Sequence, residues 1–479
     1  MIVRYSPVFS KIEEATPQEK LLADRTLAVR HPRAFFMKAY HNTMWDGRIQ
    51  FIKRRKFLSG LLPRLKTALE SRGHTLEVIY DDDPELPWKE PLSSFLKDLD
   101  SRENQLRLVR AGLKEKRGVL AAPPAAGKTE IMALLLECLR RGNPYGMFPT
   151  SLILAPAKSL VKQTKERLEY RLERPVGLIQ ESRFLPAGVT VGSVQTIYSA
   201  LKRGRAEMQE YLDTVKVLLI DEVQYLPALS FQIVGESIPA IYRIGVSATP
   251  YSKSDPVRNR VLEGLTGPVI SEITWKEQFD NKYIAVPHIY FYDVKDTAEI
   301  VSEDPSEIYV EGAVFSRNKN RLIRKLVQEL VDEKVPTMIM VEYVDHGNLI
   351  EELLQDAGID ARFINRKNKT DEYVDDTIEA FRQGEFPVLI ATRVFGTGQD
   401  IPAIEALIFA SEGVKHEMVI QNIGRGIRLK KDRPQRVIVI DFYNRNHELL
   451  EDRAKARRRT YRSVKGFILH EKDAPLKLR

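Results

Sequence analysis

A loop of small residues ends in Gly127, Lys128 and Thr129. It lies between an apolar run and a helical pattern, the setting in which backbone N–H groups and a helix N-terminus face phosphates. We expect Lys128 to reach the terminal phosphates of ATP and the Thr129 hydroxyl to bind Mg²⁺. The expected nucleotide contacts in this loop are Ala125, Ala126, Gly127, Lys128 and Thr129.

A pair of carboxylates follows a second apolar run. Asp221 is expected to hold Mg²⁺ through water, and Glu222 to orient and deprotonate the attacking water. Two hydroxyl residues, Ser247 and Thr249, end a third apolar run. They are predicted to hydrogen-bond the carboxylate motif, including Gln224, and to transmit its state to an interdomain hinge. An acidic turn and a Ser-Thr turn before proline are the structural alternatives.

A polar helical pattern near the C-terminal end carries two arginines. Gln421, Arg425 and Arg428 share one helical face, together with Gly424. The two arginines are predicted to act as arginine fingers on the γ-phosphate, so that hydrolysis depends on domain closure. The alternative is a basic helix face that binds nucleic-acid phosphates.

The elements that must position these residues are short apolar strands alternating with helices. Strands without polar alternation indicate a parallel sheet buried on both faces, and the alternation predicts doubly wound α/β domains. The first sheet is predicted to contain 118–122, 151–155, 215–220 and 242–246. The second is predicted to contain 337–341, 388–392, 406–410 and 437–440.

The sequence thus predicts two tandem α/β domains preceded by a small α+β module, with a linker at 81–87. The expected boundaries are an N-terminal accessory domain at 1–90, a first ATP-binding domain at 91–275, a second domain with the arginine fingers at 276–450, and a basic tail at 451–479.

Charge and composition favour a polyanionic partner. The chain of 479 residues has a formal net charge of +8 and a pI near 9.2. Basic residues concentrate at 48–72 and 451–479. The single cysteine excludes a disulfide framework, and the N-terminus lacks the apolar run of a signal peptide. We expect a cytoplasmic protein without a membrane partner, in the host cytoplasm if a phage encodes it.

In their order, these motifs resemble those of superfamily 2 helicases over residues 95–445. The resemblance implies two tandem RecA-like domains and an ATP hydrolase. It assigns Arg102 and Gln105 to the adenine-reading motif, and Gly398 and Asp400 to the junction of nucleotide and nucleic acid. It also implies backbone contacts to nucleic acid from Lys158, Thr196 and Thr392.

The N-terminal module resembles that of phage UvsW-type helicases, which remodel branched DNA. The resemblance rests on His31-Pro32, on 44–49 and on 60–65. Aromatic residues interleave there with a basic run, a mixture suited to base stacking and phosphate contact. The expected contacts are Trp45, Arg54 and Arg55. The alternative is that Trp45 belongs to the core and the basic run is a solvated turn.

The function expected from these resemblances is an ATP-dependent DNA helicase or translocase that acts on branched DNA in replication, recombination or repair. An RNA helicase and the motor subunit of a restriction system are the alternatives with the same core. A nucleic-acid-binding protein with a disabled ATPase is the alternative from another class, supported by Ala125 and Gln224, where glycine and His or Asp are usual.

Overall fold

The computed structural model describes the chain except for residues 43, 81–84, 298–299, 366–369, 393–403, 414–422, 424–434 and 478–479. The described residues form two compact units, Met1–Ile273 and Thr274–Arg479. None of the helices in these described ranges is long and apolar enough to span a bilayer.

The first unit begins with a small mixed α/β module. Its elements are β1 Ile2–Tyr5, β2 Phe9–Glu14, α1 Pro17–Leu27, β3 Val29–Arg30, α2 Lys38–His41, β4 Arg48–Ile49, β5 Lys56–Leu58, α3 Leu62–Glu70 and β6 Glu77–Tyr80. The sheet has the order β5-β2-β1-β6, and a separate two-stranded ribbon pairs β3 with β4. Helix α1 starts at a capping box in which Thr16 and Glu19 satisfy each other's backbone N–H groups.

The rest of this unit is a doubly wound domain. Its elements are α4 Glu103–Glu115, β7 Arg117–Ala121, α5 Lys128–Gly142, β8 Ser151–Ala155, α6 Lys158–Leu172, β9 Gly177–Gln180, β10 Arg183–Leu185, β11 Val189–Ser193, α7 Val194–Lys202, α8 Ala206–Thr214, β12 Val217–Asp221, α9 Leu229–Glu236, β13 Tyr242–Ser247, α10 Pro256–Leu265 and β14 Val269–Glu272. The sheet order is β10-β9-β11-β8-β12-β13-β7-β14, parallel except at β10.

This strand order explains where the predicted motifs meet. Strands β12, β13 and β7 are neighbours, with Asp221 paired to Val246 and Ser247 paired to Ala121. Because the strands are parallel, their carboxyl ends lie on the same edge of the sheet, where such folds bind ligands. The phosphate loop, the carboxylates and the Ser-Thr turn therefore converge.

The N-terminal module is fastened to the doubly wound domain by arginines. Arg64 pairs with Glu263 at 2.8 Å, Arg260 donates to the carbonyl of Thr26 at 2.9 Å, and Arg117 donates to the Tyr5 hydroxyl at 3.0 Å. The module is consequently part of the first compact unit.

The second unit contains the second parallel sheet that the sequence predicts. The elements of this unit are α11 Trp275–Asp280, β15 Val286–Val294, α12 Pro305–Tyr309, α13 Arg317–Asp332, β16 Thr337–Val341, α14 Val344–Gln355, β17 Ala361–Ile364, α15 Asp371–Gln383, β18 Val388–Thr392, β19 Ala406–Phe409, β20 Arg436–Asn444, α16 Glu448–Ser463 and β21 Ile468–Leu469. The strand order of the sheet is β17-β18-β16-β19-β20-β15-β21. The prediction of two parallel-sheet α/β domains behind a small module is confirmed.

The segment after residue 450, which the sequence predicts to be a basic tail, contains a helix and a strand of the second unit. Helix α16 and strand β21 belong to the second unit, and β21 pairs with β15. Arg457 is buried, pairing with Asp441 at 2.9 Å and Glu412 at 2.8 Å, and Glu412 also pairs with Lys319. Burial opposes ionisation of Glu412, yet the two cations outweigh it and hold the pKa of this carboxyl below its usual value.

Candidate active site

The phosphate loop has the backbone of an anion-binding turn. Gly127 (φ +81°) precedes helix α5, which begins at Lys128. Ala125 also adopts a left-handed conformation, at φ +61°, although glycine suits it better. The Gln105 side chain donates to the carbonyl of Ala126 at 2.8 Å and accepts the Arg102 backbone N–H at 2.8 Å. Gln105 thus braces the loop, and its contact with adenine stays a prediction.

Lys128 forms an ion pair with the predicted base. Its Nζ lies 2.6 Å from Glu222 Oε1, and the two side chains are 18% and 17% exposed. Burial alone would lower the pKa of Lys128, but the carboxylates of Glu222 and Asp221 outweigh it and raise that pKa. Glu222 itself has a left-handed backbone, at φ +50°. Such strain clusters at functional sites.

A continuous chain of hydrogen bonds leads away from this pair. The Gln224 amide donates to Glu222 Oε2 at 2.8 Å, and the Ser247 hydroxyl donates to Gln224 Oε1 at 2.6 Å. The backbone N–H of Thr249 then donates to the Ser247 hydroxyl at 3.0 Å. The sequence anticipated a bond between Ser247 and the carboxylate motif. It missed Arg258, which holds the Gln224 carbonyl at 2.6 Å.

The predicted Mg²⁺ ligands are a hydroxyl and a carboxylate at neighbouring elements. Thr129 lies in the first turn of α5, and Asp221 ends β12. Burial and the charge of Glu222 raise the pKa of Asp221 to about 6. Within the described ranges no cluster of three or more His, Cys, Asp or Glu residues forms a metal cage. Mg²⁺ prefers oxygen ligands and usually keeps several waters and substrate phosphates in its coordination shell. The hydroxyl of Thr129 and the carboxylate of Asp221 therefore fit Mg²⁺ without further protein ligands.

Two residues of the first unit that are predicted to contact nucleic acid, Lys158 and Thr196, both interact with Glu181. Lys158 at the start of α6 pairs with Glu181 at 2.5 Å, and the backbone N–H of Glu181 donates to the Thr196 hydroxyl at 2.9 Å. Lys158 in turn lowers the pKa of Glu181. No local sequence pattern points to Glu181, which lies in the turn between β9 and β10.

Only part of the predicted site in the second unit can be located. Thr392 ends β18, is buried, and its hydroxyl has no hydrogen-bond partner among the described residues. The remaining predicted residues lie outside the described residues. They are Gly398, Asp400, Gln421, Arg425 and Arg428.

The predicted contacts in the N-terminal module lie on loops. Arg54 and Arg55 both have left-handed backbones and form a tight turn closed by paired backbone hydrogen bonds between Lys53 and Lys56. Trp45 is half-buried, and its indole N–H donates to the Arg48 carbonyl at 2.7 Å. Trp45 is thus not a fully buried core residue, and its contact with nucleic acid stays a prediction.

Comparison with known proteins finds helicase domains in both units. Residues 92–252 match the family described as type III restriction enzyme, res subunit, and residues 318–430 match the helicase conserved C-terminal domain. DNA 3'-5' translocase XPB2 of Sulfurisphaera tokodaii is 26% identical over 390 residues, covering 72% of this chain and 82% of that protein. The ATP-dependent DNA helicase uvsW of phage T4 is 22% identical over 417 residues, covering 80% and 79%.

The fold is similar to that of a solved structure with little sequence identity. S. cerevisiae Dbp5 bound to RNA and ADP BeF3 matches with a TM-score of 0.57 and 17% identity, over 79% of this chain and 91% of that one. Fold and site together define an ATP-hydrolysing core of two RecA-like domains. The chain belongs to the superfamily 2 helicases, and among them it resembles UvsW.

Gly127→Ala is expected to weaken nucleotide binding about 5- to 150-fold. A Cβ at this position would lie 2.5 Å from Gln105 Nε2, and the left-handed backbone adds a cost of about 1–3 kcal/mol. Gly204→Ala is the matched control, because Gly204 has φ +64° with nothing within 4 Å of its Cβ position. Titration with a fluorescent ATP analogue should show normal affinity for Gly204→Ala only. Equal affinity of both variants would contradict the loop assignment.

Glu181→Gln is expected to strengthen binding of single-stranded DNA. The substitution frees Lys158 for a phosphate, so affinity should rise about two- to five-fold and the salt slope should steepen by about 0.7. The control is Glu173→Gln. Like Glu181, Glu173 has a left-handed backbone and pairs with a lysine, Lys97, at 3.1 Å. Anisotropy titrations over a salt series measure both. If the two variants had the same DNA affinity and the same salt slope, the predicted contact of Lys158 with nucleic acid would be wrong.

Proposed function

We propose that this chain is an ATP-dependent DNA translocase or helicase that acts on branched DNA, in replication, recombination or repair. The observation that carries the proposal is the unbroken hydrogen-bonded chain from Lys128 through Glu222 and Gln224 to Ser247. It connects the residue that would touch the terminal phosphates with the end of strand β13. A change at the nucleotide can therefore reach the segment that leaves the first domain.

The chemistry proposed for the site begins with the ion pair. Because Lys128 and Glu222 neutralise each other, a γ-phosphate that attracts Lys128 leaves Glu222 to accept a proton from the attacking water. When bound, Mg²⁺ would offset negative charge on the phosphates, held by the Thr129 hydroxyl and, through water, by Asp221. Arg425 and Arg428 stay the predicted arginine fingers.

DNA is proposed as the substrate because of the relatives' stated activities. The XPB2 and uvsW relatives are described as a DNA translocase and a DNA helicase. The basic charge of the chain fits either nucleic acid. Branched DNA is favoured by the N-terminal module, whose sequence resembles the UvsW-type accessory domain. An RNA substrate and a restriction-system motor are outcomes that the next experiment would reveal.

ATP hydrolysis by the chain is expected to be stimulated most by a four-way or forked DNA. The measurement compares steady-state turnover with no nucleic acid, single-stranded DNA, duplex DNA, branched DNA and matched RNAs at one salt concentration. Lys128→Ala is the control and should abolish turnover with every substrate, because the phosphates lose their ammonium partner. Equal or stronger stimulation by RNA would contradict the proposal, and so would turnover retained by Lys128→Ala.

A further inference from the structure

The described residues 31–42 and 44–47 belong to the segment that connects the two strands of the ribbon in the N-terminal module. We call this segment the finger. Its base is the antiparallel pairing of β3 with β4, in which Val29 lies opposite Ile49. The finger contains the short helix α2 and a 3₁₀ turn at Ala34–Phe36.

The finger is held in shape by its own contacts. The His31 backbone N–H donates to the Gly47 carbonyl at 2.8 Å, and the Trp45 indole donates to the Arg48 carbonyl. Gly47 has φ +78°, and a Cβ there would lie 3.0–3.1 Å from Ala34 and the Tyr40 ring. The Trp45 indole N–H is therefore engaged within the finger, and the side chains that the finger exposes most are other ones.

Those presented residues are large and apolar. Phe35 is 63% exposed, Phe36 is 81% exposed and Met44 is 84% exposed. Phe35 packs edge-on against Phe36 and against His41, so the aromatic rings form one cluster. A contiguous group of exposed aromatic side chains indicates a binding surface.

The charges around this cluster indicate what it binds. From residue 30 to residue 48 the chain has four Lys or Arg residues and one acidic residue, Asp46. The carboxylate of Asp46 accepts the backbone N–H of Arg48 at 2.9 Å. The basic residues are Arg30, Arg33, Lys38 and Arg48. Aromatic faces among cations are the combination that binds single-stranded nucleic acid, because rings stack on bases while cations meet phosphates.

We propose that Phe35 and Phe36 stack on unpaired bases at the branch point of the DNA. Phenylalanine has no hydrogen-bonding group, so it recognises the face of a base and not its edge. In an intact duplex those faces are already stacked, whereas a fork or junction exposes them. The finger's cations hold the flanking phosphates. This inference rests on the proposed function and gives the N-terminal module its preference for branched over linear DNA.

The test is binding of the full-length protein to a fork that carries 2-aminopurine in its unpaired arms, with a blunt duplex for comparison. Phe35→Ala/Phe36→Ala should weaken fork binding about 10- to 100-fold and leave duplex binding within about two-fold. The salt slope should not change, because no phosphate contact is removed. Phe36→Trp should bind the fork with wild-type affinity and quench the 2-aminopurine fluorescence. Phe36→Leu should bind the fork more weakly and leave the fluorescence unquenched.

A matched control removes exposed apolar surface elsewhere. Tyr145 and Met147 are 86% and 65% exposed, and Tyr145→Ala/Met147→Ala should bind the fork like the wild type. Wild-type fork affinity in Phe35→Ala/Phe36→Ala would overturn the inference. So would equal affinities of Phe36→Leu and Phe36→Trp, or a loss confined to binding of phosphatidylserine vesicles. If no DNA stimulates the wild-type ATPase, the proposed function fails instead, which is a distinguishable result.

Discussion

The constraint on which the site depends is the cost of withdrawing the Lys128 ammonium from water. A largely buried cation is tolerated only beside an opposite charge, and Glu222 Oε1 supplies it at 2.6 Å. This pairing requires the loop after β7 and the end of β12 to share one edge of the sheet, with β13 between them. It also makes the state of Glu222 depend on whatever attracts Lys128. We propose that bound nucleotide is sensed when Lys128 exchanges Glu222 for a phosphate. The hydrogen bonds of Gln224 and Ser247 would then transmit the change from Glu222 to the end of β13.

Much of this arrangement could be predicted because local sequence encodes it. Strands buried on both faces are continuous apolar runs, so β8, β16 and β18 were predicted at their observed bounds. The Gly-Lys-Thr loop and the Asp-Glu pair follow such runs directly. Parallel pairing then brings their ends together without further information. The hydroxyl of Ser247 was assigned to the carboxylate motif for the same reason, and it contacts Gln224.

What could not be predicted depends on partners distant in sequence. Glu181 has no motif of its own, and only the fold sets it between Lys158 and Thr196. Arg457 resembles the other arginines of its helix in sequence, yet the periodicity of the helix turns it toward Asp441. In the finger, the sequence predicts a nucleic-acid contact from Trp45 and does not single out Phe35 or Phe36, which the structure leaves exposed. Composition does not reveal which aromatic side chain of a loop faces solvent.

The most direct test of the central claim is a double-mutant cycle on the Gln224–Ser247 hydrogen bond. The quantity measured is the ratio of DNA-stimulated to basal ATP turnover in Gln224→Ala, Ser247→Ala and the double variant. If the two side chains transmit through one bond, each single variant should lose most of the stimulation and the double variant should lose no more than either. Losses that multiply in the double variant would show independent roles and would contradict the account.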